Sequence, residues 1–374
     1  MATTSSISAG PQVDRLDVSV YTIPTDQPES DGTFEWRATT LVLVELSAGA
    51  VRGLGYSYAS PAAASVIEEG LRDIVLSSHA LANTDTWVRM NAAVRNIGRP
   101  GVASTAIAAV DIALWDLKAR LLGLALVDLL GPIHDAVPVY GSGGFTSYSI
   151  ERLQRQFAGW AEQGIRAMKM KIGRQPDADP GRVAAARAAI GEAASLFVDA
   201  NGAYAPKQAL ALAQAFVAYR VTWFEEPVTS DDLRGLRFIR ERVPAGMDVA
   251  AGEYGYDLTY FGRMLRAGAV DVLQADATRC AGITGFLKAA ALCEAAHVPL
   301  SAHTAPSIHV HPCAALPDIR PLEYFHDHVR IEHMFFDGAA TAEAGVLRPD
   351  RSRPGLGLEL KRPDVEHFRR RLPS

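Results

Sequence analysis

The stretch AMKMKIGRQPDADPGRVAAARAAIGEAASLFVDAN, residues 167–201, decides the fold of this chain. An apolar run of strand length opens it, an alanine-rich segment of helical pattern follows, and a second apolar run closes it. Strands that alternate with helices in this way are typical of parallel α/β sheets. Charged side chains end both runs, Lys169 and Lys171 in the first and Asp199 in the second.

The same alternation continues along the chain from residue 137. Short apolar runs return roughly every 25–30 residues, the length of one strand–helix unit. The eight runs are 137–142, 167–172, 196–201, 221–226, 249–253, 270–276, 299–303 and 322–325. Eight strands alternating with helices predict a parallel α/β barrel rather than an open sheet. No G-x-G-x-x-G turn follows the first run, which argues against a dinucleotide-binding fold.

The chain before residue 137 has other patterns. Residues 13–60 alternate between apolar and polar side chains, which predicts a small antiparallel sheet, and the turn-forming residues 24–32 within it predict a long mobile loop. Helical spacing follows, most clearly at 104–122, and Gly123 is a predicted helix stop. We predict a flexible tail at 1–12, an α+β capping domain at 13–136, a barrel at 137–330, and a segment at 331–374 that completes the barrel edge and the cap.

The composition argues against several classes of function. The net charge of −5, from 37 basic and 42 acidic residues, does not favour nucleic acid or an anionic membrane as a partner. No apolar run reaches the roughly 18 residues of a membrane-spanning helix, and the first residues show no secretory signal pattern. The three cysteines lack the spacing of a disulfide framework or a metal site, which favours a reducing cytoplasm.

Ionisable side chains end seven consecutive predicted strands. They are Lys169 and Lys171, Asp199, Glu225 and Glu226, Glu253, Asp276, His303, and Glu323. In an α/β barrel these strand ends meet at one mouth, where active sites lie. A single strand-end carboxylate usually caps a turn or a helix. A ring of seven charged ends instead indicates a site, because buried charges are costly unless they are paired or bind metal.

Three of these residues, Asp199, Glu225 and Glu253, place carboxylates on adjacent strands. Oxygen ligands without cysteine or paired histidine suit Mg²⁺. Glu226 points to the opposite strand face from Glu225, so we predict a structural salt bridge or cap for it.

Two candidate bases face each other across the predicted mouth. Lys169 and Lys171 share one strand face, and lysine is rare here, with 6 Lys against 31 Arg. Neighbouring like charges lower a lysine pKa and so prepare a neutral amine. On the opposite side, His303 ends the strand beside the one that Asp276 ends, which predicts an Asp–His hydrogen bond. The pattern suits removal of a proton next to a carboxylate, with Glu323, if protonated, donating to the enediolate.

These residues together resemble the enolase superfamily, and within it the mandelate racemase subgroup. The resemblance spans about residues 13–374 and includes the helix Ala108–Asp116. It implies a modified (β/α)7β TIM barrel with an α+β cap, a Mg²⁺ cofactor, and a homo-oligomer, commonly an octamer. It also implies that Lys171 and His303 are the bases, that Asp276 orients His303, and that Lys169 and Glu323 stabilise the enediolate.

The resemblance leaves the reaction open among several types. Dehydration of an acid sugar to a 2-keto-3-deoxy acid is the main prediction. The alternatives are a racemase or epimerase, a cycloisomerase of a hydroxy acid or sugar lactone, and a non-catalytic barrel. The muconate-lactonising branch has a lysine on the sixth strand, where this chain has Asp276.

The predicted substrate contacts come from strand ends and from cap loops. Ser142 and Asn201 end the first and third predicted strands. Trp36, Tyr56 and Tyr58 lie in the cap loops at 22–36 and 53–60, and packing within the cap is the alternative for them.

Overall fold

The computed structural model describes residues 10–370 of the chain, and its N-terminal part is a three-stranded antiparallel sheet. The strands are β1 (Arg15–Ser30), β2 (Glu35–Ala48) and β3 (Val51–Tyr58). The prediction of a mobile loop at 24–32 is wrong, since β1 pairs with β2 through Glu29 and Ser30 after an irregular register that begins at Pro24. A tight turn follows, in which Asp31 Oδ1 accepts hydrogen bonds from two backbone N–H groups.

Besides a π-helix at Val66–Leu71 and a 3-10 turn at Val94–Asn96, five α-helices complete the described part of the cap. They are α1 (Ala62–Ser65), α2 (Arg72–Leu76), α3 (Asn83–Ala93), α4 (Val102–Leu121) and α5 (Leu126–Leu130). The helix α4 is buried along most of its length and packs on β3, where a Cβ on Gly55 would lie 2.3 Å from the Ala113 nitrogen. The chain leaves α4 through Gly123 at φ +67°, as predicted.

Eight parallel strands form the barrel. They are β4 (Val137–Gly143), β5 (Ala167–Lys171), β6 (Ser195–Asp199), β7 (Val221–Glu225), β8 (Asp248–Ala251), β9 (Val272–Ala275), β10 (Leu300–Ala302) and β11 (Leu322–Phe325). They pair in the order β10-β9-β8-β7-β6-β5-β4-β11, and the Arg320 nitrogen donates to the Leu300 carbonyl across the remaining gap. The predicted parallel barrel with an antiparallel cap is confirmed.

One helix follows each barrel strand. They are α6 (Ile150–Glu162), α7 (Asp179–Ile190), α8 (Pro206–Phe216), α9 (Leu233–Arg240), α10 (Leu258–Ala267), α11 (Gly282–Ala296), α12 (Pro306–Ala314) and α13 (His326–Phe335). Large side chains fill the barrel interior, including Tyr140, Phe197 and Trp223. The barrel interior is therefore a packed core and not a pore.

The chain after α13 returns to both parts of the molecule. It forms β12 (Phe336–Asp337), β13 (Val346–Leu347), β14 (Glu359–Leu360) and α14 (Arg362–Val365). Of these, β13 pairs with β4 and β12 pairs with β14. The predicted boundary at residue 330 falls within α13, and the domain limits stay predictions.

The predicted tail at 1–12 lies mostly outside the described residues. Its described end contacts the cap, since the Pro11 carbonyl accepts a hydrogen bond from the Ala80 nitrogen. Within residues 10–370, no helix has both the length and the hydropathy needed to cross a bilayer.

Candidate active site

Three carboxylates meet where β6, β7 and β8 end. Asp199 and Glu225 are the last residues of β6 and β7 and pair in register, and Glu253 follows β8. All three are buried, and one oxygen of each lies within 4.8 Å of the others. Glu253 Oε2 is buried and accepts no well-oriented hydrogen bond from the described residues, although His303 Nε2 lies 3.2 Å from it. Such hard oxygen donors, one of them unsatisfied, fit a divalent cation.

The two lysines of β5 point at these carboxylates. Lys169 Nζ lies 2.5 Å from Glu225 Oε1 and 2.9 Å from Glu323 Oε1, and Lys171 Nζ lies 2.5 Å from Asp199 Oδ2. The predicted like-charge effect is present, since Lys169 lowers the pKa of Lys171, but it does not decide the net shift. Burial also lowers both lysine pKa values, but the facing carboxylates outweigh it and raise the pKa of both lysines. A cation held by the same carboxylates would compete with the ammonium groups and reverse this effect.

His303 forms the predicted pair with Asp276. Its Nδ1 lies 2.9 Å from Asp276 Oδ2, and its Nε2 lies 3.2 Å from Glu253 Oε2. Burial disfavours the imidazolium, but the Glu253 and Glu323 carboxylates raise the pKa of His303 to about 9. Asp276 is fixed in turn, because its Oδ1 accepts from the Thr278 nitrogen and hydroxyl. Asp276 therefore keeps the proton on His303 Nδ1, and His303 Nε2 points toward the barrel mouth.

Glu323 is ionised in this arrangement. Burial raises its pKa, but the Lys169 ammonium and His303 outweigh burial and lower the pKa to about 2. From the sequence, we considered a protonated Glu323 as a hydrogen-bond donor. With only the protein groups present, Glu323 is instead a carboxylate. Ser142 does not line the pocket, because its hydroxyl donates to Glu323 Oε1 at 2.6 Å beneath the mouth.

Glu226 does not have the predicted salt bridge or capping role. It is buried at φ +37°, and its Oε1 has no hydrogen-bond partner among the described residues. Burial, with the Glu253 and Asp199 carboxylates, raises its pKa well above the usual value. The prediction assumed that Glu225 and Glu226 alternate along one strand. The strand β7 ends at Glu225, and the backbone bends at Glu226, so the alternation does not apply to Glu226.

A pocket of about 220 Å³ opens above these residues, between the barrel mouth and the cap. Lys171, Asn201, Glu253 and His303 line it from the barrel, as do Tyr254, Arg279, Thr304, Phe325 and His328, which sequence reasoning missed. The cap contributes Asp31, Phe34, Trp36 and Thr39. Arg279 follows Asp276 by three residues and lies 3.3 Å from Glu253 Oε1, so extending the strand-end rule into the next loop would have found it.

The predicted substrate contacts divide into two groups. Trp36 and Asn201 line the pocket, and Asn201 Oδ1 is buried without a partner among the described residues. Tyr56 and Tyr58 pack within the cap interface instead. Tyr56 donates to Glu332 Oε1, and the Tyr58 ring stacks on His328 at 3.4 Å between centroids.

Two family profiles match the chain. The profile for the mandelate racemase / muconate lactonizing enzyme N-terminal domain matches residues 20–131, and an enolase C-terminal domain-like profile matches residues 152–365. The chain belongs to the mandelate racemase/muconate lactonizing enzyme family. The family predicted from the strand-end residues is thereby confirmed.

Three proteins are similar to this chain over nearly its whole length. The 3,6-anhydro-alpha-L-galactonate cycloisomerase of Streptomyces coelicolor is 34% identical over 94% of this chain and 98% of its own. A solved mandelate racemase/muconate lactonizing enzyme-like protein from Rubrobacter xylanophilus is 53% identical, with a TM-score of 0.94 over 96% of this chain and 100% of that one. The L-talarate dehydratase of Polaromonas sp. JS666, solved with Mg and L-glucarate, is 30% identical, with a TM-score of 0.87 over 97% of this chain and 98% of that one.

Proposed function

We propose that this enzyme removes the α-proton of an acid sugar and eliminates the oxygen at C3, which gives a 2-keto-3-deoxy acid. The observation that carries the proposal is the placement of Lys171 and His303 on one pocket, above three clustered carboxylates. Proton abstraction requires one base beside the α-carbon, and two bases on one pocket would let either configuration of that carbon react.

Asp199, Glu225 and Glu253 would hold Mg²⁺, which suits their oxygen donors. Bound there, the ion would supply positive charge to the substrate carboxylate and so make the α-proton more acidic. Lys169 Nζ, which lies 2.9 Å from Glu323 Oε1, would donate to a carboxylate oxygen as negative charge develops on it.

The proton steps fall to Lys171 and His303. Either residue takes the proton at C2, depending on the configuration of that carbon. The oxygen leaving C3 then needs a proton, and His303 is the suitable donor because Asp276 stabilises its imidazolium at 2.9 Å. If His303 performs both steps, the elimination is syn, and if Lys171 takes the proton, it is anti.

A cycloisomerase is the second candidate, favoured by the 34% identity to the anhydrogalactonate enzyme over 94% of this chain. In a 3,6-anhydro acid, the oxygen on C3 belongs to the ring. The same proton abstraction and elimination therefore open the ring instead of releasing water. The two candidates share every residue role and differ only in the leaving group.

The test is a panel of aldonates, aldarates, sugar lactones, a 3,6-anhydroaldonate and mandelate, each incubated with the enzyme and Mg²⁺. We expect 2-keto acid from at least one sugar acid, and none after addition of chelator or with Asp199→Asn. The chelated samples should regain activity when Mg²⁺ is restored. Racemisation of mandelate without keto acid from any sugar acid would contradict the elimination.

We further propose a cytoplasmic homo-oligomer. The three cysteines are buried as free thiols, which a reducing compartment maintains. Light scattering on the purified protein tests the assembly, and a monomeric mass would contradict it.

A further inference from the structure

Two of the relatives are associated with acids that carry different numbers of carboxylates. Anhydrogalactonate has one carboxylate, whereas L-glucarate has one at each end. If the carboxylate beside the reacting carbon lies at the three clustered acids, the other end of a six-carbon substrate reaches the far side of the pocket. The charge of that side therefore decides between a monoacid and a diacid.

The far side of the pocket, here called the distal wall, is formed by the cap, by the end of β11 and by the first turn of α13. It consists of Asp31, Phe34, Trp36, Thr39, Phe325 and His328. None of the six is a lysine or an arginine. The two such cations that line the pocket are already opposite carboxylates at the barrel mouth, Lys171 against Asp199 and Arg279 against Glu253.

The polar groups of the distal wall suit hydroxyls. Asp31 accepts its three hydrogen bonds from the Thr33–Phe34 turn through Oδ1, which leaves Oδ2 for a substrate hydroxyl. The His328 imidazole lies between the Tyr58 ring, at 3.4 Å, and the Phe325 ring, at 5.0 Å. Burial, with His303 nearby, lowers the pKa of His328 well below its usual value, so the ring is a neutral hydrogen-bonding group.

The Trp36 indole in the apolar part of the distal wall has contacts on several sides. The Trp36 indole donates to the buried Glu29 at 2.8 Å, meets Phe145 edge-on at 5.6 Å, and stacks with Phe34 at 6.2 Å. A fixed indole presents a flat face to the C–H groups of a sugar chain or ring without losing side-chain freedom on binding.

Four arginines that face carboxylates of the cap and of α13 do not supply the missing charge, because none of them lines the pocket. Arg37 and Arg174 lie 3.6 and 3.8 Å from Glu35, and Arg152 and Arg330 pair with Asp26 and Asp327. A second substrate carboxylate would thus be desolvated against aromatic rings and beside Asp31. Burying this carboxylate without a cation and beside the negative Asp31 strongly opposes binding of a diacid.

We infer that the substrate is a monocarboxylic acid sugar, an aldonate or its anhydro form, and that the distal wall excludes aldarates. This inference rests on the proposed function and narrows its substrate class. It makes Asp31, Trp36 and His328 specificity-determining residues.

The test compares matched pairs that differ only at C6, such as galactonate with galactarate and gluconate with glucarate, in the presence of Mg²⁺. Both kcat/KM and calorimetric affinity are measured. For the configuration that is turned over, we expect the monoacid to be favoured by about 100-fold in kcat/KM. Equal or better use of the diacid would overturn the inference while leaving the proposed elimination intact. Failure of every acid on the panel to bind or react would instead overturn the proposed function.

A charge swap at the exposed rim gives a second test with little risk to folding. Phe34→Arg adds a cation to the distal wall at a side chain that is 64% exposed, and Phe34→Gln removes the same ring without adding charge. We expect the diacid-to-monoacid ratio of kcat/KM to rise about 10-fold in Phe34→Arg and to stay at the wild-type value in Phe34→Gln. An equal change of this diacid-to-monoacid ratio in both variants would show that the charge of the distal wall does not determine the preference.

Discussion

At the scale of single residues, buried carboxyl groups differ in charge state because their partners differ. Glu323 faces the Lys169 ammonium, and its pKa falls to about 2. Glu332 accepts hydrogen bonds only from neutral donors, the Tyr56 hydroxyl and the Ser307 hydroxyl and nitrogen. Burial therefore outweighs these donors and raises the pKa of Glu332 to about 7. The sequence shows that both are glutamates but not which donors meet them.

The Glu332 shift predicts a pH-dependent stability. The folded state keeps this carboxyl protonated up to a pH of about 7, whereas the unfolded chain releases the proton near the ordinary glutamate pKa of 4.5. Its contribution is present below pH 4.5 and is lost as the pH rises toward 7, by up to about 3 kcal/mol. In Glu332→Gln, the free energy of unfolding should fall less between pH 5 and 8 than in the wild type.

Urea unfolding at both pH values measures this difference. The exposed-site variant Glu69→Gln is the control and should follow the wild type. If Glu332→Gln loses as much stability as the wild type over this range, the carboxyl is already ionised in the fold.

At the scale of elements, the barrel could be predicted and the end of β1 could not. Apolar runs recur at the period of a strand–helix unit, and seven of the eight carry an ionisable residue at or near their end, so both the fold and the barrel half of the site follow from local pattern. Residues 24–32 have the composition of a loop, yet β2 pairs with them through Glu29 and Ser30. That pairing depends on a partner strand, which local composition does not reveal.

The contact between β3 and α4 gives a prediction at this scale. A Cβ on Gly55 would lie 2.3 Å from the Ala113 nitrogen and 2.4 Å from the Ala109 carbonyl oxygen. Because both atoms belong to helix backbone, Gly55→Ala should separate strand and helix and cost about 2–3 kcal/mol of unfolding free energy. Gly159→Ala in α6 is the matched control, since its Cβ meets nothing within 4 Å and alanine favours a helix.

Chemical denaturation of the two variants measures the contrast. Equal stability of Gly55→Ala and Gly159→Ala would show that the cap tolerates a wider strand–helix spacing than the structure has.

At the scale of the whole molecule, the pocket depends on how the cap sits on the barrel. Helix α13, which follows the last barrel strand, is bound to the cap by Thr39 to Asp327, Tyr56 to Glu332, and Arg330 to the Pro24 carbonyl. These contacts place Trp36 opposite His303 in one pocket. Strand-end reasoning found the residues at the barrel mouth, but Asp31 of the cap and His328 of α13 reach the pocket through tertiary packing between distant segments.

The central claim is that Lys171 and His303 act on opposite faces of one α-carbon. The direct measurement is NMR of α-proton exchange in D₂O with Mg²⁺, using both C2 epimers of an active acid sugar or of a slowly reacting analogue. We predict that Lys171→Ala loses exchange with one epimer and keeps it with the other, and that His303→Asn shows the reverse. Loss of exchange from both epimers to the same extent in both variants would contradict two independent bases.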